Sequence, residues 1–108
     1  MRGVTCALCL ILLFPAVAFT GQIFGSLREG RRSVGQGVPV EVICGRDHYP
    51  ARTDAYGSYN IYTPKTGKCT FVVQYKGQSQ HVVYSYRDPV RYDFELIQSG
   101  RGYELRRR

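Results

Sequence analysis

Val90-Arg91-Tyr92-Asp93-Phe94-Glu95-Leu96 alternates without a break, apolar or aromatic side chains falling on one side and charged ones on the other. A two-residue period marks a strand with one face in a core and the other in water. The same period recurs outward from this stretch. Val38, Val40, Val42 and Cys44 alternate with Pro39, Glu41 and Ile43, and Cys69, Phe71, Val73 and Tyr75 alternate with Thr70, Val72 and Gln74. Ile23, Gly25 and Leu27 open another strand, and Tyr59, Ile61 and Thr63 fill a short one. Val82, Tyr84 and Tyr86 belong to one that ends at Asp88-Pro89. No window carries a 3.6-residue apolar period, and nine tyrosines without a tryptophan suit sheet better than helix.

Turn chemistry separates these runs at short intervals. Glu29-Gly30, Gly35-Gln36-Gly37, Asp47-His48-Tyr49-Pro50, Asp54-Ala55-Tyr56-Gly57, Pro64-Lys65-Thr66-Gly67, Lys76-Gly77 and Asp88-Pro89 all read as turns. Gly57 and Gly67 suit positions where φ must be positive. About seven short strands joined by turns imply an all-β, antiparallel β-sandwich. The sequence shows no internal repeat and no low-complexity linker.

The first residues carry a different signal. Arg2 is followed by an almost wholly apolar run over residues 4–14, then Pro15 and the small-residue pattern Ala16-Val17-Ala18. That order is expected of a cleaved signal peptide over residues 1–18, and the run is shorter than the roughly 20 apolar residues of a transmembrane helix. Cys6 and Cys9 fall inside it and are expected to leave with it. What remains is about 90 residues, one domain with a core of marginal size. It is read as a β-sandwich over residues 19–97 and a flexible basic tail over residues 98–108. Its two cysteines, Cys44 and Cys69, most simply form one disulfide in an exported domain, and two thiolates alone cannot fill a zinc site. Export places the domain in the periplasm or outside the cell. Without Arg2 the chain carries 14 Lys and Arg against 8 Asp and Glu, a net charge of +6. That balance favours an anionic partner, and export makes nucleic acid the least fitting one.

Several segments together resemble the carboxypeptidase regulatory-like domain, a transthyretin-like (prealbumin-like) β-sandwich. They are Ile23-Phe24-Gly25-Ser26-Leu27, Gly37-Val38-Pro39-Val40-Glu41-Val42, Thr53-Asp54-Ala55-Tyr56-Gly57-Ser58-Tyr59-Asn60-Ile61, Gly67-Lys68-Cys69-Thr70-Phe71-Val72-Val73 and Tyr92-Asp93-Phe94-Glu95-Leu96. The likeness spans residues 21–97, and its most specific part is the Thr-Asp-x-x-Gly-x-Tyr turn. It implies that the second strand lies antiparallel beside the fifth, so that Cys44 and Cys69 sit side by side facing the core. A bond between them would close a loop worth about 3.5 kcal/mol on the chain-entropy account.

The family's enzymatic associations do not carry over. The carboxypeptidase zinc site uses a His-x-x-Glu pair, whereas His48 precedes Tyr49-Pro50-Ala51 and His81 precedes Val82-Val83-Tyr84. The transthyretin-like hydrolases end in Tyr-Arg-Gly-Ser and carry a histidine on the first strand; this chain ends in Arg106-Arg107-Arg108 and has none there. His48 and His81 lack a third metal ligand, and neither Ser58 nor Ser79 lies in a nucleophile elbow. No catalytic residue, metal or cofactor is expected. Tyr59, Tyr75 and Tyr92 are read as packing. Tyr49, Tyr56 and Tyr62 fall in turns or outward and are candidates for stacking on a glycan, as in related sandwich folds that bind starch-like sugars. Arg101, Arg106, Arg107 and Arg108 in the tail are candidates for an electrostatic tether to an anionic surface. The leading expectation is thus a non-enzymatic accessory domain that contacts a protein or envelope partner, with carbohydrate binding as the alternative. Exported material should begin at Phe19, which intact mass measures directly; a product retaining residues 10–14 would show an anchor instead.

Overall fold

The computed structural model describes residues 21–108, so the expected signal peptide lies outside the described residues. Ten strands follow in order: β1 (Gln22–Glu29), β2 (Arg32–Ser33), β3 (Pro39–Cys44), β4 (Asp47–Arg52), β5 (Ser58–Tyr62), β6 (Gly67–Gln74), β7 (Gln78–Ser85), β8 (Val90–Arg91), β9 (Phe94–Ser99) and β10 (Gly102–Arg107). They form two sheets. In the first, β1 is central, with β9 and then β10 on one side and β2 on the other; β5 and β8 also pair with β1. The second runs β4-β3-β6-β7. The chain is therefore all-β and sandwich-like, as the alternation requires.

The core lies between the sheets. Ile23, Leu27, Phe94 and Leu96 from the first meet Val42, Phe71, Val73 and Val83 from the second, and all are essentially inaccessible. Phe71 stacks on Phe94 with ring centroids 5.1 Å apart, and Tyr59 packs tilted against Phe71 at 4.7 Å. Such aromatic pairs add about 0.5–1.5 kcal/mol beyond the area they bury. The alternating residues named from the sequence in β3 and β9 are the ones that face this core.

β3 pairs antiparallel with β6 in the register Val42↔Phe71 and Ile43↔Thr70, which brings Cys44 opposite Cys69. The two form a disulfide, with Cα atoms 4.5 Å apart and 25 residues between them in sequence.

Not every ladder is antiparallel. β8 and β9 run parallel to β1, in the registers Ile23↔Val90 and Leu27↔Phe94. The chain leaves β7 in the second sheet, crosses at Asp88-Pro89, and enters the first sheet at the end where β1 begins. It can then only run in β1's direction, and the long excursion from β2 to β7 supplies the crossover that parallel pairing needs. The offset between partners is the same in β8 and β9, so the two are one strand interrupted at Tyr92 and Asp93. Gly25 stands opposite the interruption. A Cβ there would lie 1.8 Å from the Tyr92 carbonyl oxygen, so only glycine permits the approach.

Two segments depart from the sequence expectation. Residues 47–50, read as a turn, belong to β4. Asp47 and Pro50 weaken the strand signal, yet β4 is a sheet edge, where a residue with no N–H is tolerated. The supposed flexible tail over residues 98–108 is instead the end of β9, a turn, and β10. It pairs along its whole length, from Gly102↔Ser99 to Arg107↔Phe94, and Arg108 N donates to Asp93 O at 2.8 Å. Leu105 is buried in the main core. The segment looked disordered because its outward residues are charged and only Tyr103 and Leu105 report the inner face. Leu105→Ala should cost about 2–4 kcal/mol and lower the melting temperature by roughly 10 °C or more. An unchanged thermal unfolding curve would restore the tail.

Candidate functional site

Each tyrosine named from the sequence has a definite place. Tyr59 and Tyr92 are buried, and Tyr75 is half-buried against the core. Tyr49, proposed as exposed, faces inward from β4 and packs against that core, so it offers no ring for stacking. Tyr56 is 80% exposed in the turn before β5, and Tyr62 is 55% exposed on the outer side of β5. A strand advances about 3.3 Å per residue, which leaves these two rings well over 10 Å apart and outside a single platform. The structure therefore does not bring Tyr49, Tyr56 and Tyr62 together.

Two other aromatic groupings come to the surface. On the second sheet, Val82, Tyr84 and Tyr86 are 42%, 44% and 53% exposed, in or just after the edge strand β7. They share an outer face with Thr70 and Lys68, which lie opposite Val82 and Tyr84. Next to them Val72 is 4% exposed although it lies outside the main core cluster. Alternation identified this set but not its direction, because the inward positions of β7 are Ser79, His81, Val83 and Ser85, three of them polar.

On the first sheet, Gln22 and Phe24 of β1 lie opposite Tyr62 and Asn60 of β5. Gln22 Nε2 donates to Asn60 Oδ1 at 2.9 Å, and Asn60 Nδ2 donates to the Tyr62 hydroxyl at 3.3 Å. A cleft of about 410 Å³ opens here, lined by Gln22, Phe24, Ser58 and Asn60 and flanked by Arg91, Arg52 and Asp54. Arg52 and Asp54 reach it because the chain turns there from one sheet to the other. Thr53 fixes that turn by donating Oγ1–H to Gly35 O and accepting from Val38 N, while Asp54 Oδ1 accepts from Tyr56 N and Ser58 N. Gly57 closes it at φ +76°.

The arginines of residues 101–108 are held by structure. Arg101 stands in the β9–β10 turn, Arg106 lies opposite Glu95, and Arg107 Nη2 donates to Arg91 O at 2.9 Å. Arg107 also covers the Tyr92 ring at 4.1 Å, so one of the proposed tether charges is committed to packing. Arg28 lies opposite Glu95 from the other side, placing Arg106, Glu95 and Arg28 in one row.

The histidines and Ser79 are engaged separately. His48 Nδ1 pairs with Glu41 at 3.0 Å on the surface. His81 Nδ1–H donates to Val82 O at 2.7 Å, with its ring 5.0 Å from that of Phe94. Ser79 Oγ donates to Tyr103 O, not to His81. Among the described residues, no three His, Cys, Asp or Glu side chains are grouped to hold a metal.

One polar cluster had no sequence signal, because its members are far apart in the chain. The Glu29 carboxylate accepts from the Tyr103 hydroxyl at 2.7 Å, the Tyr75 hydroxyl at 2.8 Å and Lys76 Nζ at 3.2 Å. The Tyr103, Tyr75 and Lys76 hydrogen bonds, in that order, pull the Glu29 pKa from 4.5 down to about 2. The same contacts push the two phenols and the ammonium up. This ties β1, the β6–β7 turn and β10 together at one end. Lys76 and both phenols are held protonated and committed to Glu29, so we assign the cluster to stability. A pKa lower in the folded than in the unfolded chain favours folding above about pH 4.5, and that contribution fades as the pH falls towards about 2. Glu29→Gln should therefore lower the melting temperature at neutral pH and flatten its decline between pH 4.5 and 2. A wild-type pH profile in this variant would refute the assignment.

Compared with known proteins, the chain matches no family model and no curated protein.

Proposed function

We propose that the chain is an exported, non-enzymatic binding domain of the carboxypeptidase regulatory-like kind, and that the outer face of its disulfide-bearing sheet docks on a protein of the cell envelope. The observation that carries this is the exposed row of Val82, Tyr84 and Tyr86 on a sheet already packed on its other side. Tyrosine suits a protein interface because its ring gives up water readily while its hydroxyl keeps a partner on either side. The edge of β7 is less open to strand addition: Tyr84 N donates to the Tyr92 hydroxyl, and His81 covers Val82 O. A partner is thus directed to the face. Among the described residues His48 pairs with Glu41, His81 donates to Val82 O and Ser79 donates to Tyr103 O, contacts that suit a binding domain. The disulfide and the pairing of its strands support the family reading and export.

A second reading, glycan binding, is favoured by the cleft where Phe24 stands beside the amides of Gln22 and Asn60.

The envelope-partner reading is tested by chemical cross-linking in the producing cell. The wild-type protein should give a discrete cross-linked species. The double variant Tyr84→Ser, Tyr86→Ser should lose it while melting within a few degrees of wild type, since both rings are exposed. Retention of the same species by the double variant would defeat the proposal.

A further inference from the structure

The cleft on the first sheet differs from a neutral sugar platform in its charge. Arg52 and Arg91 stand at its border with a single acid, Asp54, and Asp54 Oδ1 is turned to Tyr56 N and Ser58 N. Arg91 gives Nε to Asp93 Oδ2 at 2.8 Å and lies over the Phe24 ring at 5.8 Å. Both contacts hold its guanidinium in place, and Nη1 and Nη2 make no hydrogen bond among the described residues. Burial works against ionisation of Asp93, but the Arg91 and Ser26 hydrogen bonds prevail and hold its carboxyl below the usual range. The Arg91–Asp93 pair is therefore favoured in its ionised form. Arg52 is anchored differently, through Nη1 to Gly37 O at 3.0 Å, and its Nη2 makes no hydrogen bond among the described residues.

The geometry points to an acidic saccharide, a hexuronate-type glycan, as the ligand of this cleft; the inference rests on the glycan reading above and specifies its chemistry. A planar guanidinium matches a carboxylate with two parallel donors, and the paired charges make those bonds stronger than neutral ones. Phe24 adds apolar surface to the cleft beside the Arg91 guanidinium, for the C–H groups of a pyranose ring. Gln22 Oε1 and Ser58 Oγ make no hydrogen bond among the described residues, so each can meet a ring hydroxyl. A volume of about 410 Å³ holds a sugar unit or two. The net charge of +6 without Arg2 adds an attraction felt before contact, which salt weakens.

The test compares oligogalacturonate with maltotriose by calorimetry on the intact exported protein. Oligogalacturonate should bind, and rising salt should weaken it. Arg52→Gln and Asn60→Ala should each weaken it about tenfold, the loss of one charge-assisted or well-placed hydrogen bond. Both residues are exposed, so neither change should disturb folding. Arg106→Gln, on the outer strand of the same sheet, should leave the affinity within about twofold. If maltotriose binds equally well and Arg52→Gln has no effect, the acidic specificity is wrong and the glycan reading stands. If neither sugar binds, both fall. If Arg106→Gln weakens binding as much as Arg52→Gln, or phosphatidylglycerol vesicles bind more tightly than the oligosaccharide, general surface charge is responsible and the cleft is not the site.

Discussion

Tyr92 is the residue on which the two sheets are assembled. It sits at the interruption between β8 and β9, where its N donates to Phe24 O at 2.8 Å. Its carbonyl, freed from the ladder, turns towards Gly25 and accepts the Tyr59 hydroxyl at 2.6 Å. Burial pushes the Tyr59 phenol up, with Asp93 and Tyr92 adding to the effect, which favours its protonated, donating form. The Tyr92 hydroxyl reaches the second sheet and accepts Tyr84 N at 2.9 Å, while the ring stacks near Phe94 and carries Arg107 on its other face. Through its carbonyl Tyr92 thus holds β5, and through its side chain β7, β9 and β10. Phenylalanine here would keep the stacking and leave Tyr84 N without a partner, a cost of the order of 1–3 kcal/mol if the site stays dry.

The disulfide and the Thr53–Tyr59 turn complete that frame from the opposite side. Cys44 and Cys69 lock β3 to β6 at the end of the ladder. The turn then carries the chain out of the second sheet, and every marked residue in it has a structural task. Thr53 and Asp54 satisfy backbone groups, Gly57 supplies the positive φ, and Tyr59 delivers its hydroxyl to Tyr92. A motif this specific can therefore arise from the needs of the corner alone. Its bearing on function is indirect: the corner places Arg52 and Asp54 beside the outer face of β1 and β5.

The inner faces were legible because the core needs bulky apolar residues, and these recur with a period of two in β3, β6 and β9. The pairing of Cys44 with Cys69 was legible because only two cysteines follow the apolar run over residues 4–14. Direction was harder. β7 turns Ser79, His81 and Ser85 inward, which hides its facing, and parallel pairing of β8 and β9 with β1 depends on where the chain re-enters the sheet. β10 was missed because its partner, not its composition, makes it a strand. The candidate site was the least legible part, since Gln22, Arg52, Asn60 and Arg91 meet only through the topology.

The same folding decides where the positive charge is expressed. Of the eight acids, Glu29, Glu41, Asp47, Asp54 and Asp93 are engaged by hydroxyls, backbone N–H groups or nearby cations. Arg28, Arg31, Arg32, Arg46, Lys68 and Arg87 form no ion pair among the described residues. The cationic character is therefore spread over strands and turns of the sandwich and is not confined to residues 98–108. A flexible arm would attract any anion within the roughly 8 Å reach of exposed charge at physiological salt. Arginines fixed on a sheet instead present donors at set separations, which is what lets a surface distinguish one anion from another.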